Sequence, residues 1–368
     1  MLKLRRGVVV SIEPLTVEVG GEHRPAWADI AMVGEVEVGD DVVVNTQARD
    51  LGLGSGGFDV VHVNLSRGLV AGEAEGIHVI KLNYTSLQHP VDPVEIDEQA
   101  ASTAAGLGYA SHGSPDLGPK PPTVVISLHG HLAPIAWAAA QARPGLRLGF
   151  LQGAGAALPG SLSRDVAELR RRELLCGHVT AGPAYGGEHE AISLVGGLDA
   201  AARRLGWEAI VVGPGPGILG SATRLGHGGM AALDAAHAAL ALGLPTLLCP
   251  RLSSSDERDR HRGLSHHTAA VLELLLAPVR VPVPEAELEG WPMLSAEAPE
   301  GGSAQAALDE LIGLCGGRHD LAVEAIDLGG YSESGLPART MGRSIGEDPL
   351  FFAAPLAAGR ALAAALAG

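Results

Sequence analysis

Aromatic residues are scarce, with Phe, Tyr and Trp together only 3% of the 368 residues. That is too few for a platform on which bases stack, so single-strand nucleic-acid binding is not expected. Positive charge is also short: Lys plus Arg number 26 against 42 for Asp plus Glu, a formal net charge of -16. Neither a nucleic-acid backbone nor an anionic membrane surface is expected as a partner. Lys3, Lys81 and Lys120 are the three lysines, and none follows the glycine that a P-loop requires. Cys176, Cys249 and Cys315 lie far apart with no Cys-x-x-Cys pair. They read as small buried hydrophobes in a reducing compartment rather than a disulfide framework. Met1–Arg6 leads into a strand-like run instead of a signal peptide. The apolar stretch Leu350–Gly368 is interrupted by Pro355 and Arg360 and falls short of a membrane span. The expectation is a cytoplasmic protein with no nucleic-acid or membrane partner, homo-oligomers being compatible with it.

What is present is apolar: hydrophobic residues are 46% of the chain, enough for a large core and about two domains. Residues 1–85 read as an N-terminal β domain, a small barrel or sandwich, from valine-rich alternating runs such as Gly7–Ile12, Leu15–Val19 and Phe58–Leu65. Gly34–Asn45 reads as strand, Gly-Asp turn, strand. Residues 86–122, ending in Lys120-Pro-Pro122, form a connecting segment. Residues 123–368 alternate short apolar runs with Ala-rich helical windows, which predicts an α/β domain with a mainly parallel, Rossmann-like sheet covered by helices. Strands are predicted at Val124–Leu128, Leu146–Leu151, His178–Ala181, Ala209–Gly213, Thr246–Cys249 and Leu321–Ile326. Helices are predicted at His131–Ala142, Glu190–Leu205, Met230–Leu242 and Ala269–Ala277. Residues 278–302, rich in Pro, Glu and Gly, read as an exposed excursion.

Most candidate polar residues of the second half follow an apolar run, and strand ends gather at the carboxyl edge of a parallel sheet, where ligands bind. The charge-dense loop Arg251–Thr268 is the first of these. His261, His266 and His267 are candidate acid–base catalysts, because an unperturbed imidazole titrates near neutrality. Ser265 is placed to cap the following helix. If Arg258–Arg262 is extended, Arg258, Arg260 and Arg262 point one way while Asp259 and His261 point the other.

The glycine loop Gly213–Gly229 is the second. Gly215, Gly217 and Gly220 formally match a dinucleotide fingerprint, but residues 221–229 separate the match from the next helix. A backbone cradle for an anion, with Ser221, Thr223 and Arg224 as added donors, is the stronger functional reading. The plain alternative is glycine kept for tight packing. Arg251, Arg258, Arg260 and Arg262 can clamp a phosphate or carboxylate, or simply pair with Asp256, Glu257 and Asp259. His129, His131, Asp259 and His261 are the alternative, metal-binding set, although no His-Glu-x-x-His spacing occurs. Arg339 and Arg343, with Asp348 and Pro349 at a helix start, can reach the same edge.

Four segments carry a resemblance: Asn45–Gly57, Gly213–Gly220, Arg260–Thr268, and Arg339–Arg343 with Asp348–Phe352. They resemble an uncharacterised bacterial family, domain of unknown function 3866, over nearly the whole chain. The resemblance implies no activity, cofactor or catalytic residue. The residues alone point to an enzyme acting on a small anionic metabolite, phosphorylated ones included, at the carboxyl edge of the sheet. The alternatives are a non-catalytic anion-binding or regulatory protein, a metal-dependent hydrolase, and a subunit-interaction protein.

Overall fold

The computed structural model describes residues 1–53, 56–69, 79–96, 120–221, 223–285 and 304–366. The chain divides into two compact units, Met1–Val91 and Asp92–Gly368.

The first unit carries β1 (Leu4–Ile12), β2 (Leu15–Val19), β3 (Glu22–Trp27), α1 (Ile30–Val33), β4 (Asp41–Asn45), α2 (Gln47–Asp50), β5 (Asp59–Asn64), β6 (Val79–Lys81) and β7 (His89–Val91). Five strands close a barrel in the order β1-β2-β3-β5-β4, and β6 and β7 pair separately. Period-2 alternation builds its interior: Val42 and Val44 of β4 point inward beside Val9, Val17 and Val61. Gly34–Asn45 is not the predicted hairpin, because residues 34–40 are not strand. The Asp40 carboxylate instead accepts from Glu37 N at 2.9 Å, Asn64 Nδ2 at 2.9 Å and Arg67 Nε at 3.0 Å. Those bonds hold the segment as a side-chain-tied loop, and only its second half pairs.

The second unit runs β8 (Thr123–Val125), α3 (Leu132–Ala142), β9 (Leu148–Gly153), α4 (Arg164–Arg171), β10 (Gly177–Ala181), β11 (His189–Ala191), α5 (Leu194–Arg203), β12 (Ala209–Pro214), α6 (Ala231–Ala241), β13 (Thr246–Leu248), β14 (Leu252–Ser253), β15 (Gly263–Leu264), α7 (His266–Leu274), β16 (Arg280–Pro284), α8 (Ala304–Cys315), β17 (Asp320–Glu324), α9 (Leu328–Glu333), β18 (Arg339–Thr340), β19 (Arg343–Ser344) and α10 (Pro349–Ala364). Eight strands form one sheet in the order β11-β10-β9-β12-β8-β13-β16-β17, with every pairing parallel. Strands β8, β9, β10, β12 and β13 are buried at every position. Unbroken apolar runs instead of alternation are what a sheet covered on both faces requires.

Two strands of this sheet lie outside the predicted set. β11 has only three residues within a polar stretch. β16 falls inside the predicted excursion, yet Val281 and Val283 are buried. Its prolines withdraw N–H donors at alternate positions. The pairing with β13 accordingly shrinks to Leu247↔Arg280, while five residues pair with β17. The rest of that excursion from residue 286, and most of the predicted connecting segment (97–119), lie outside the described residues.

Candidate functional site at the carboxyl edge of the sheet

Strand β8 lies between β12 and β13. From β8 the chain crosses to β9 on one side, while from β12 it crosses to β13 on the other. This reversal is the kind of switch point at which α/β sheets bind ligands. Beside it, the carboxyl ends of β9, β10 and β12 border a cavity of about 140 Å³ lined in part by Gly153, Gly182, Val212, Gly213 and Ala231. A larger cavity, about 330 Å³, is lined by Leu146–Leu148 and Leu174–Cys176 at the amino ends of β9 and β10, the edge that carries none of the histidine cluster.

After β13 the chain enters the charge-dense loop. Leu252↔Leu264 and Ser253↔Gly263 pair as a short antiparallel ribbon. Arg251 N donates to Thr268 Oγ1 at 2.8 Å, and Ser265 N donates to Arg251 O at 3.0 Å. The ribbon thus sets Arg251 beside the start of α7. Ser265 caps that helix, its Oγ accepting from His267 N at 3.3 Å, as its sequence position predicts. His266 and His267 therefore occupy the first turn. Residues 259–261 form a 3-10 turn instead of an extended run, which buries His261 and exposes Asp259 and Arg260.

Three guanidiniums and two carboxylates form a network between this loop and the segment before α10. Arg251 is 2% exposed and its Nη2 lies 3.3 Å from Asp256 Oδ2. Arg258 grips Asp256 with Nε and Nη2, each at 2.9 Å, and Arg343 reaches it at 3.3 Å. Arg343 also pairs with Asp348 at 3.1 Å. Asp348 is fully buried and accepts from Ser253 Oγ at 2.7 Å and Ser254 N at 2.8 Å. Burial opposes ionisation of Asp256, but its bonds from Arg258 and the Arg251 charge hold it below the usual carboxylate range. Burial lowers Arg251 to about 10, so it stays cationic at neutral pH. Its Nε is buried without a partner.

Next to Arg251 stands a histidine cluster. His227 closes the glycine loop: Gly228 N donates to Leu219 O at 2.7 Å, and Gly220 bridges to His227. The rings of His227 and His267 stack with centroids 3.6 Å apart and planes 11° apart. His266 lies 4.5 Å from His267 and 5.1 Å from His227, centre to centre. His261 sits 4.8 Å from His267, its Nδ1 2.7 Å from Ser265 Oγ. One ring nitrogen from each of His227, His266 and His267 fits within a 4.8 Å group suited to a metal ion. Burial, helped by the Arg251 charge, pushes His261 to about 3; burial and the neighbouring His227 push His267 to about 2. Both imidazoles are neutral at pH 7, which suits a metal ligand, while basicity this low disfavours either one as a general acid or base.

The other candidates are distributed around this centre. Gly215 is buried against Ala157 O, which an added Cβ would approach to 2.5 Å, so close packing requires glycine there. Gly217 and Gly220 are exposed. Ser221 Oγ donates to Gly226 O at 2.7 Å and Thr223 Oγ1 accepts from Gly226 N at 3.0 Å, so the loop's hydroxyls serve its own backbone. Arg224 pairs with Glu273, and Arg262 with Asp259 at 3.5 Å. The alternative metal set is not brought together. His129 bonds Pro214 O at 3.1 Å and Ser163 Oγ at 2.7 Å, and His131 Nδ1 lies 3.5 Å from Cys249 Sγ. Asp259 turns 95% of its side chain to solvent. His227 was not singled out from sequence. Its signal was a histidine set among glycines directly before a helix, one strand ahead of the His266-His267 pair.

A family described as "Protein of unknown function (DUF3866)" matches residues 26–359. No curated protein and no solved structure matches the chain.

Proposed function

The chain belongs to the DUF3866 family, proteins of unknown function, and from that premise we propose that it is an enzyme acting on a small anionic metabolite at the carboxyl edge of its parallel sheet. The observation that carries the reading is the charge imbalance of the Arg251–Asp348 network. Three arginines face two aspartates, and the buried Arg251 Nε has no partner, in a chain whose net charge is -16. Burying an unbalanced guanidinium is costly unless an anion offsets it. A phosphate or carboxylate supplies that charge and accepts planar, paired N–H donors. The cavity of about 140 Å³ at the carboxyl ends of β9, β10 and β12 suits the organic part of a small molecule.

The second reading is a non-catalytic anion-binding protein. It is favoured by the commitment of both carboxylates, Asp256 and Asp348, to arginine and serine partners, which leaves neither as a free base.

Melting the full chain with inorganic phosphate, pyrophosphate and citrate in turn tests the binding. A ligand at a hundredfold excess over its Kd stabilises by about 2.7 kcal/mol. Arg343→Gln, which removes one cation and keeps a polar side chain, is expected to weaken binding about tenfold, the equivalent of one charge-assisted contact. No shift with any of these anions at millimolar concentration would count against the reading. Product release from a panel of phosphate and carboxylate esters separates enzyme from binding protein.

A further inference from the structure

We propose that His227, His266 and His267 form a binding site for a divalent transition metal of the zinc class. This inference stands apart from the anion reading and does not need it.

The hydrogen bonds of His227 fix its tautomer. Its Nε2 lies 3.0 Å from Arg224 O, and a carbonyl only accepts, so Nε2 carries the proton. In the neutral ring Nδ1 is then a bare lone pair. That atom is buried without a partner in a residue 7% exposed. His266 Nε2 is likewise buried and unpartnered. Two orphaned, buried imidazole nitrogens in one cluster are costly and are what a metal ion satisfies. The carbonyl on His227 Nε2 is also the outer contact that typically orients a metal-bound imidazole.

The backbone keeps the space open. A Cβ on Gly229 would stand 3.0 Å from both His227 Nδ1 and His267 Nδ1, so glycine lets the two rings approach the loop. The three nitrogens lie within 4.8 Å of one another, whereas tetrahedral zinc with bonds near 2.1 Å needs them about 3.4 Å apart. Ring rotation accounts for that difference, because the stacked pair of His227 and His267 must open for both lone pairs to meet one ion. Three protein nitrogens leave a fourth position, as in catalytic rather than structural zinc sites. Imidazole without thiolate or carboxylate suits zinc, cobalt or iron and disfavours calcium and magnesium.

The opposing force is Arg251, whose Nη1 lies 3.5 Å from His267 Nδ1. Asp256 offsets part of its charge. The remaining positive charge favours an anionic fourth ligand, hydroxide or a substrate oxygen, over neutral water.

The test uses the full chain, stripped with chelator, titrated with Zn²⁺ alone by calorimetry and with Co²⁺ alone by absorption. One equivalent of each is expected, with visible bands of four- or five-coordinate cobalt. His266→Ala, which gives up no hydrogen bond of His266 Nε2, is expected to fold and to lose zinc affinity on the order of 100-fold. His227→Gln is expected to do the same. His237→Ala, on α6 outside the cluster, should bind as the parent does. Melting curves of each variant establish folding. Absence of stoichiometric binding in the parent, or parental affinity in folded His266→Ala, overturns the site. The phosphate-dependent melting shift, measured in chelator, decides the anion reading separately.

Discussion

Single glycines divide into those the fold cannot lose and those it can. A Cβ on Gly228 would sit 1.7 Å from Gly155 O, backbone against backbone, where the glycine loop crosses the turn after β9. Gly217 has φ +74 but meets nothing within 4 Å. Gly228→Ala is therefore expected to destabilise by about 3 kcal/mol or more, and Gly217→Ala by about 1 kcal/mol of left-handed backbone strain. Urea midpoints of the two variants check the contrast; equal losses would refute it. The Gly215-x-Gly217-x-x-Gly220 pattern was legible in sequence, but its use was not. A glycine that lets a backbone pass and one that cradles a ligand look alike until the facing atom is known.

At the level of elements, α4 shows how a cap and a buried imidazole share one hydroxyl. His129 Nδ1 lies 3.1 Å from Pro214 O and must donate to it, so the neutral ring accepts at Nε2 from Ser163 Oγ at 2.7 Å. The same oxygen accepts from Val166 N at 3.1 Å and caps α4. Ser163→Ala removes both contacts at once and is expected to cost about 2 kcal/mol; Ser163→Thr, which keeps the hydroxyl, should cost under half of that in the same thermal melt. The helix itself was missed from sequence, because Arg164–Arg171 is mostly charged with only Val166 and Leu169 buried. The Ala-rich helices α3 and α6 were placed within about two residues, the usual uncertainty of helix ends. The parallel sheet was legible because buried β strands read as continuous apolar runs. β16 was not, because its prolines mimic a loop. The histidine cluster was half legible: His261, His266 and His267 share one segment, whereas His227 joins them only through tertiary folding.

Across the whole molecule, buried histidines make stability depend on pH. Burial pushes His131 and His178 each down to about 3, with the Arg251 charge helping at the first and His129 at the second. Both are neutral in the fold and titrate near 6.5 when unfolded. A depressed folded pKa gives stability that is fully present above the unfolded value and is lost as pH falls toward the folded one. By pH 5 each group is expected to withdraw about 2 kcal/mol, so urea midpoints should fall between pH 7.5 and pH 5. His178→Gln should flatten that fall; an unchanged slope would show that His178 is protonated in the fold. The packing of α10 on α3 has a consequence in time. Gly359 of α10 lies so close to α3 that a Cβ there would reach Ile135 O at 2.4 Å, and Phe351 and Leu356 are buried in the same core. The first described helix of the unit is thus covered by the last. During synthesis α3 leaves the ribosome long before α10 exists, and its apolar side must wait bare or be shielded by a chaperone. Contacts this distant in sequence form slowly, so the α/β unit is expected to mature only after translation has passed residue 364.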